Sequence, residues 1–219
     1  MIELILLDSS NLRSPLGNPE DILAPQELNR YELLRSDMRR REFLLGRLLL
    51  KAALTEGDDF WPGDFRMIST TLSESGKPIV AGAEFNLSHD QNAILIAVGD
   101  QVIGVDIESV QNFDDAMMRI CFTKEERRKI SHSPHPDCAA TLLWCKKEAA
   151  AKATGAGLLS EITGARKRSL HCHGGFLNVA GLNRAYAVCS SQPILQTNIS
   201  PALPRFEKVF AAFQCDNAT

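Results

Sequence analysis

The chain has 219 residues, 44% of them hydrophobic, enough to bury a core as one domain or two small ones. Its 24 basic and 27 acidic residues give a net charge of −3, so no overall bias points to nucleic acid or an anionic membrane as a partner. No apolar run approaches the roughly 18 residues of a membrane-spanning helix.

Met1–Asp8 is apolar, but it is shorter than a signal core and is interrupted by Glu3, so it is read as a first strand. A cytoplasmic protein is expected. Ser9 to Pro25 reads as a loop, and Gln26 to Leu34 as a short helix. Ser36-Asp37 can cap a longer helix that runs to about Thr55, with Gly57 behind it. Its buried stripe is Leu44, Leu45, Leu48, Leu49 and Ala52, and Arg39, Arg40, Arg41, Arg47 and Lys51 make the remainder basic. Phe65 to Thr71 is predicted as a strand, Ser75-Gly76-Lys77-Pro78 as a turn, and Phe85 to Leu87 as a strand ending at Ser88-His89.

Ala93 to Val98 and Gln101 to Ile107 are β-rich runs separated by Gly99-Asp100, a hairpin signal. In the second run Val105 and Ile107 point one way and Asp106 and Glu108 the other. Two adjacent carboxylates repel, and a hard divalent ion such as Mg²⁺ would offset them. Thr123 to Glu126 has the form of a capping box, flanked by Arg119, Lys124, Arg127 and Arg128. Asp137 can cap the next helix, on which Glu148 and Lys152 share a face at i,i+4 with Trp144, a ring expected to pack the helix on the sheet. The basic run at 166–168 is expected to be solvated, and Ala185 to Ser190 is a last core strand. Six cysteines without a C-x-x-C pair are expected to be reduced, and His171-Cys172-His173 to be a loop or strand end rather than a metal site.

Taken in order, Gly76-Lys77-Pro78, Phe85-Asn-Leu-Ser-His89, Gly104-Val-Asp-Ile-Glu108 and Trp144-Cys-Lys-Lys-Glu-Ala-Ala-Ala-Lys152 resemble the motifs of the Sfp-type 4′-phosphopantetheinyl transferases. The resemblance runs from about Arg41 to Gly157. It implies an α/β (α+β) fold of two pseudo-symmetric halves, 1–100 and 101–219, each a small, mostly antiparallel sheet packed with a long helix, with the cofactor between them.

The activity implied is Mg²⁺-dependent transfer of 4′-phosphopantetheine from coenzyme A to a serine of an apo acyl or peptidyl carrier protein, by a monomer. Asp106, Glu108 and Glu148 would hold the metal. Arg41, Arg47, Lys77, Ser88, His89 and Lys152 would bind coenzyme A, and Glu148, Lys152 and Asp106 would form the catalytic set. Glu148 would also draw the proton from the carrier serine, a role in competition with metal binding, since a metal-bound carboxylate is a poorer base. Two other readings stay open: a coenzyme A-binding protein without activity, and another Mg²⁺-dependent hydrolase of nucleotide diphosphates.

Overall fold

The computed structural model describes residues 2–10, 12, 17–55, 62–74, 76–155, 157–158, 162, 170–194 and 199–201. Gly57, Ser75, the 166–168 run and the tail beyond 201 lie outside the described residues. Strand β1 (Ile2–Asp8) is followed by the short helix α1 (Pro19–Ile22), which occupies part of the expected loop because Ile22 and Leu23 are buried there. Helix α2 is Pro25–Glu32 and α3 is Asp37–Leu54. The Ser36 side chain caps α3 by accepting from the Arg39 amide. A 3₁₀ turn, Pro62–Met67, and a small hairpin of β2 (Thr71–Leu72) and β3 (Pro78–Ile79) complete this region.

The strand expected over Phe65 to Thr71 therefore shrinks to its last residue. Phe65 is fully buried, and Thr70 donates to the buried carboxylate of Glu27. Five positions apart, they would face opposite ways on a strand. Folding the chain into a turn lets both reach the interior.

Strands β4 (Glu84–Asp90) and β5 (Ala93–Gly99) are antiparallel neighbours in a sheet of order β4-β5-β1-β9, with β9 spanning Ile199–Pro201. Strand β6 (Ile103–Ser109) leads to helices α4 (Asp115–Cys121), α5 (Lys124–Ser131) and α6 (Pro136–Thr154), then to β7 (His171–Val179) and β8 (Leu182–Ser190). These three strands form a second sheet of order β6-β8-β7. The hairpin expected across Gly99-Asp100 is corrected accordingly: β5 and β6 lie in different sheets, and this link is where the chain crosses from one to the other. The expected α+β architecture of two small sheets with a long helix each is the one observed.

Side-chain parity sets the layers. Ile5, Leu7, Phe85, Ile94 and Ile96 meet the leucine stripe of α3 on one face of the first sheet. Leu4, Leu95 and Ala97 on the other face pack against Val105, Ile107, Tyr186 and Val188 of the second sheet. The second sheet turns Ala185, Ala187 and Cys189 toward Cys145, Ala149 and Ala150 of α6. Trp144 packs not on the sheet but among the α4–α5 side chains, 6.2 Å from the Phe113 ring. Cys172 and Cys189 face each other across β7 and β8 and form a disulfide, which corrects the expectation that all thiols are reduced. Cys121 and Cys145 are buried thiols.

Candidate active site

The site lies where edge strand β4 faces edge strand β6. No backbone ladder joins them; alternate side chains of β4 do. Asn86 accepts from the Val105 amide at 2.9 Å, Ser88 Oγ donates to Asp106 Oδ1 at 2.8 Å, and Asp90 accepts from the Ser109 amide at 2.8 Å. Positions 86, 88 and 90 share one strand face, so a single strand face fixes three points along β6.

On β6, Gly104, Asp106 and Glu108 face α6. Pro136 starts that helix and Gly155 ends it with φ 63, in the left-handed region. A Cβ on Gly104 would sit 1.9 Å from the Ala149 carbonyl oxygen and 2.4 Å from the Ala153 nitrogen. Only a bare backbone lets α6 lie this close, with Lys152 in reach of β6. Gly104→Ala is expected to cost about 2–3 kcal/mol by overpacking and to lower activity in the folded fraction, measurable by thermal melting beside steady-state rates.

Lys152 Nζ donates to Asp106 Oδ1 at 2.6 Å and to Ser88 Oγ at 3.0 Å. Asp106 is 2% exposed, and its Oδ2 is buried without a hydrogen-bond partner. Burial, and then the Asp106 and Asp90 carboxylates, push Glu108 up to about 7 against the pull of Lys152. Glu148 is raised by burial and by Asp106. The buried Cys145 thiol, behind Asp106, is pushed up by burial first and then by the same carboxylate. Among the described residues no group of three or more His, Cys, Asp or Glu side chains is placed to hold a metal ion. The chemistry of the donors alone fits a hard cation: an orphaned buried carboxylate oxygen beside two acids whose ionisation is disfavoured by burial and by the Asp106 charge.

A cavity of about 640 Å³ is lined by Asn86, Leu87 and His89 of β4, the sequence neighbours of Ser88, and by Arg30, Arg39 and Arg47. Arg30 was not named from the sequence, and Arg39 only as part of the basic face of α3. Arg47 is nearly buried: its Nε lies 3.2 Å from Glu27 without hydrogen-bond alignment, and its guanidinium stacks on Phe43, 4.7 Å from the ring centroid. Arg41 instead donates to the Leu12 carbonyl at 2.7 Å, tying down the segment after β1. Lys77 reaches the Ile103 carbonyl at 3.3 Å and Glu84 at 3.6 Å. His89 is half-exposed, 3.8 Å from Glu42. Of the nine expected site residues, Ser88, Asp106 and Lys152 thus meet directly, while Arg41 and Lys77 hold backbone.

A family model described as the 4′-phosphopantetheinyl transferase superfamily matches residues 102–196, the stretch that carries β6 and α6. The transferase HetI of Nostoc sp. is 31% identical over 173 residues, covering 70% of this chain and 72% of the relative. The chain belongs to the 4′-phosphopantetheinyl transferase superfamily. The transferase psf-1 of Bacillus pumilus is 28% identical over 162 residues, 72% of this chain and 68% of that protein. The transferase ffp of Bacillus subtilis is 29% identical over 120 residues, 52% of each. This phosphopantetheinyl transferase is therefore an enzyme whose matched region contains both Asp106 and Lys152. No helix among its described residues is long and apolar enough to cross a membrane.

Proposed function

We propose that this transferase moves 4′-phosphopantetheine from coenzyme A to a serine hydroxyl of an apo acyl or peptidyl carrier protein, leaving 3′,5′-ADP, with Mg²⁺ at the Asp106 cluster. The observation that carries this reading is the unpartnered Asp106 Oδ2 beside Lys152 and Ser88, the last on a strand whose Asn86, Leu87 and His89 line a cavity together with three arginines. Asp106, Glu108 and Glu148 would hold the ion, which would neutralise charge gathering on the leaving diphosphate. Ser88, His89 and Lys152 offer a hydroxyl, a ring nitrogen and an ammonium to the diphosphate. Arg30, Arg39 and Arg47 offer charge to the nucleotide end, with Lys77 at its rim, and Arg41 supports them by holding the adjoining loop. Glu148 takes the serine proton. We place the nucleotide end in the half comprising 1–100 and the metal in the half comprising 101–219, in a cytoplasmic monomer without nucleic-acid or membrane partners. Incubation with coenzyme A, Mg²⁺ and a panel of apo carrier proteins, followed by intact mass, tests the reading; no modified carrier in the panel overturns it.

The raised carboxylates predict a pH signature. Without metal the folded state holds protons at Glu108 and Glu148 more tightly than the unfolded chain, so this contribution to stability is present at low pH. For Glu108 it is lost as pH rises from the ordinary 4.5 through about 7, and the raised Glu148 adds to the loss in the same direction. The melting temperature of metal-free protein should fall across that window, and the gain on adding Mg²⁺ should grow with pH. A gain as large at about pH 5 as at about pH 8 would count against the metal assignment.

Carrier docking is assigned to α4 and α5, where Met117 and Ile120 are exposed beside Arg119 and Arg128. Arg127 is spent on the Phe122 carbonyl at 2.6 Å. Since the net charge of −3 does not attract an acidic carrier, local basic groups must set the encounter rate. Reversing Arg119 and Arg128 to Glu should raise KM for the carrier severalfold and flatten its salt dependence, while Kd for coenzyme A is unchanged.

A further inference from the structure

Among the described residues Arg184 is the largest side chain buried without exposure, and the proposed reaction makes no use of it. It stands on β8 directly opposite Ser109 of β6, with Leu177 of β7 on its other side. All three lie in one row of the second sheet, on the side that faces the first sheet. From there Arg184 reaches across the interface. Its Nε donates to Asp90 Oδ2 at 2.9 Å, one Nη to the Asp90 carbonyl at 3.4 Å, and the other Nη to the Val179 carbonyl. The same Asp90 oxygen accepts from both the amide and the hydroxyl of Ser109. At this end of the interface the Ala180 amide, in the β7–β8 turn, also donates to Asp8 of β1 at 3.1 Å.

A buried ion pair is a poor way to gain stability, because apolar residues of similar volume commonly do as well or better. What such a pair fixes is geometry. Asp90 ends the β4 row whose middle member, Ser88, touches Asp106 and Lys152. We infer that Arg184 and Asp90 are positioning residues for the transfer reaction, a clamp that sets β6 against β4 and so holds Asp106 in contact with Ser88. The inference rests on the proposed function for its kinetic readout only. Loosening the clamp lets the far end of β6 shift relative to β4, and the reacting groups, two residues away, shift with it. The nucleotide end of coenzyme A, held on α2, α3 and β4 within the first half, is left in place, and it supplies the part of the binding that KM reads here.

The test compares Arg184→Met, Arg184→Lys and Asp90→Asn with Leu48→Ala, a cavity in the α3 core, each assayed well below its own melting temperature. Arg184→Met and Asp90→Asn should lower kcat roughly tenfold or more with KM for coenzyme A within about twofold, and Arg184→Lys should recover part of the rate. Leu48→Ala should lose melting temperature and keep kcat. Wild-type kcat in folded Arg184→Met and Asp90→Asn would make the pair merely structural and overturn the inference.

If those variants do not fold, Ser109→Ala removes one bond to Asp90 and spares the ion pair. It should lower kcat about threefold and speed amide exchange at Val105, the other end of the row; no change in either overturns the clamp. If the wild type modifies no carrier, the proposed function fails and exchange alone decides. Faster Val105 exchange in Arg184→Met or Ser109→Ala then supports the clamp, and an unchanged rate removes it.

Discussion

Asp106→Ala is expected to abolish transfer, lowering kcat/KM by about a thousandfold or more, in a protein that still folds. Asp106 is nearly the only group on β6 whose charge is matched: Lys152 and Ser88 both bond its Oδ1, while its Oδ2 is left for a further cation. Removing it takes away a proposed metal ligand and releases Lys152 from the contact that holds it for its proposed place beside the diphosphate. The fold survives because the change also removes a source of repulsion, since Asp106 is among the causes that raise both Glu108 and Glu148. The melting temperature of metal-free Asp106→Ala should therefore stay within a few degrees of wild type, and its gain on adding Mg²⁺ should vanish. A variant that keeps transfer within about tenfold of wild type at saturating Mg²⁺ would show that the site is misplaced.

Glu27→Ala is expected to have the largest effect on stability, about 3–5 kcal/mol, or roughly 10 °C in melting temperature for a chain of this size. The carboxylate is 2% exposed. It accepts from Lys51 Nζ at 2.6 Å, Thr70 Oγ1 at 2.7 Å and the Ala24 amide at 3.0 Å, with Arg47 at 3.2 Å. One anion thus serves two buried cations, whose own ionisation burial already disfavours. Without it Lys51 and Arg47 are left facing each other in the interior. Lys51→Met keeps the Glu27–Arg47 pair and replaces a charge with a similar apolar volume, so its cost should be about 1 kcal/mol. If the two variants melt alike, Glu27 is not the hub of the cluster.

How much of this the sequence disclosed depends on whether a residue's role is local. The Ser36 cap, the Thr123–Glu126 box and the leucine stripe of α3 are matters of spacing along one helix, and they stand where spacing puts them. Asp106, Glu148 and Lys152 were legible because strand alternation and the i,i+4 helix relation each place a charged group. What spacing does not contain is which strand lies beside which. Gly99-Asp100 looks like a hairpin locally, yet β6 finds better burial beside β8, between α6 and the first sheet. For the same reason Arg47, which the resemblance gives to coenzyme A, has in Glu27 a buried partner that only the fold reveals. Asn86, Ser88 and Asp90 did carry a signal, three polar residues at period two, the first of them set between apolar Phe85 and Leu87. The motif drew attention to Ser88 and away from the row.

Strand β9 has a consequence for how the molecule is made. Leu4, Ile5 and Leu6 pair in parallel with Ile199, Ser200 and Pro201, so a strand translated early has the last described one as its neighbour. A ribosome releases β1, β4 and β5 long before Ile199 leaves the exit tunnel. Throughout that interval one edge of the nascent sheet lacks its final strand and is open to pairing with another chain. Chains stalled or truncated before residue 199 should then partition toward aggregates even though every residue of the Asp106 cluster has been synthesised. A carboxy-terminal tag placed directly after Pro201 would strain the same closure, whereas one at the amino end leaves the order of pairing intact.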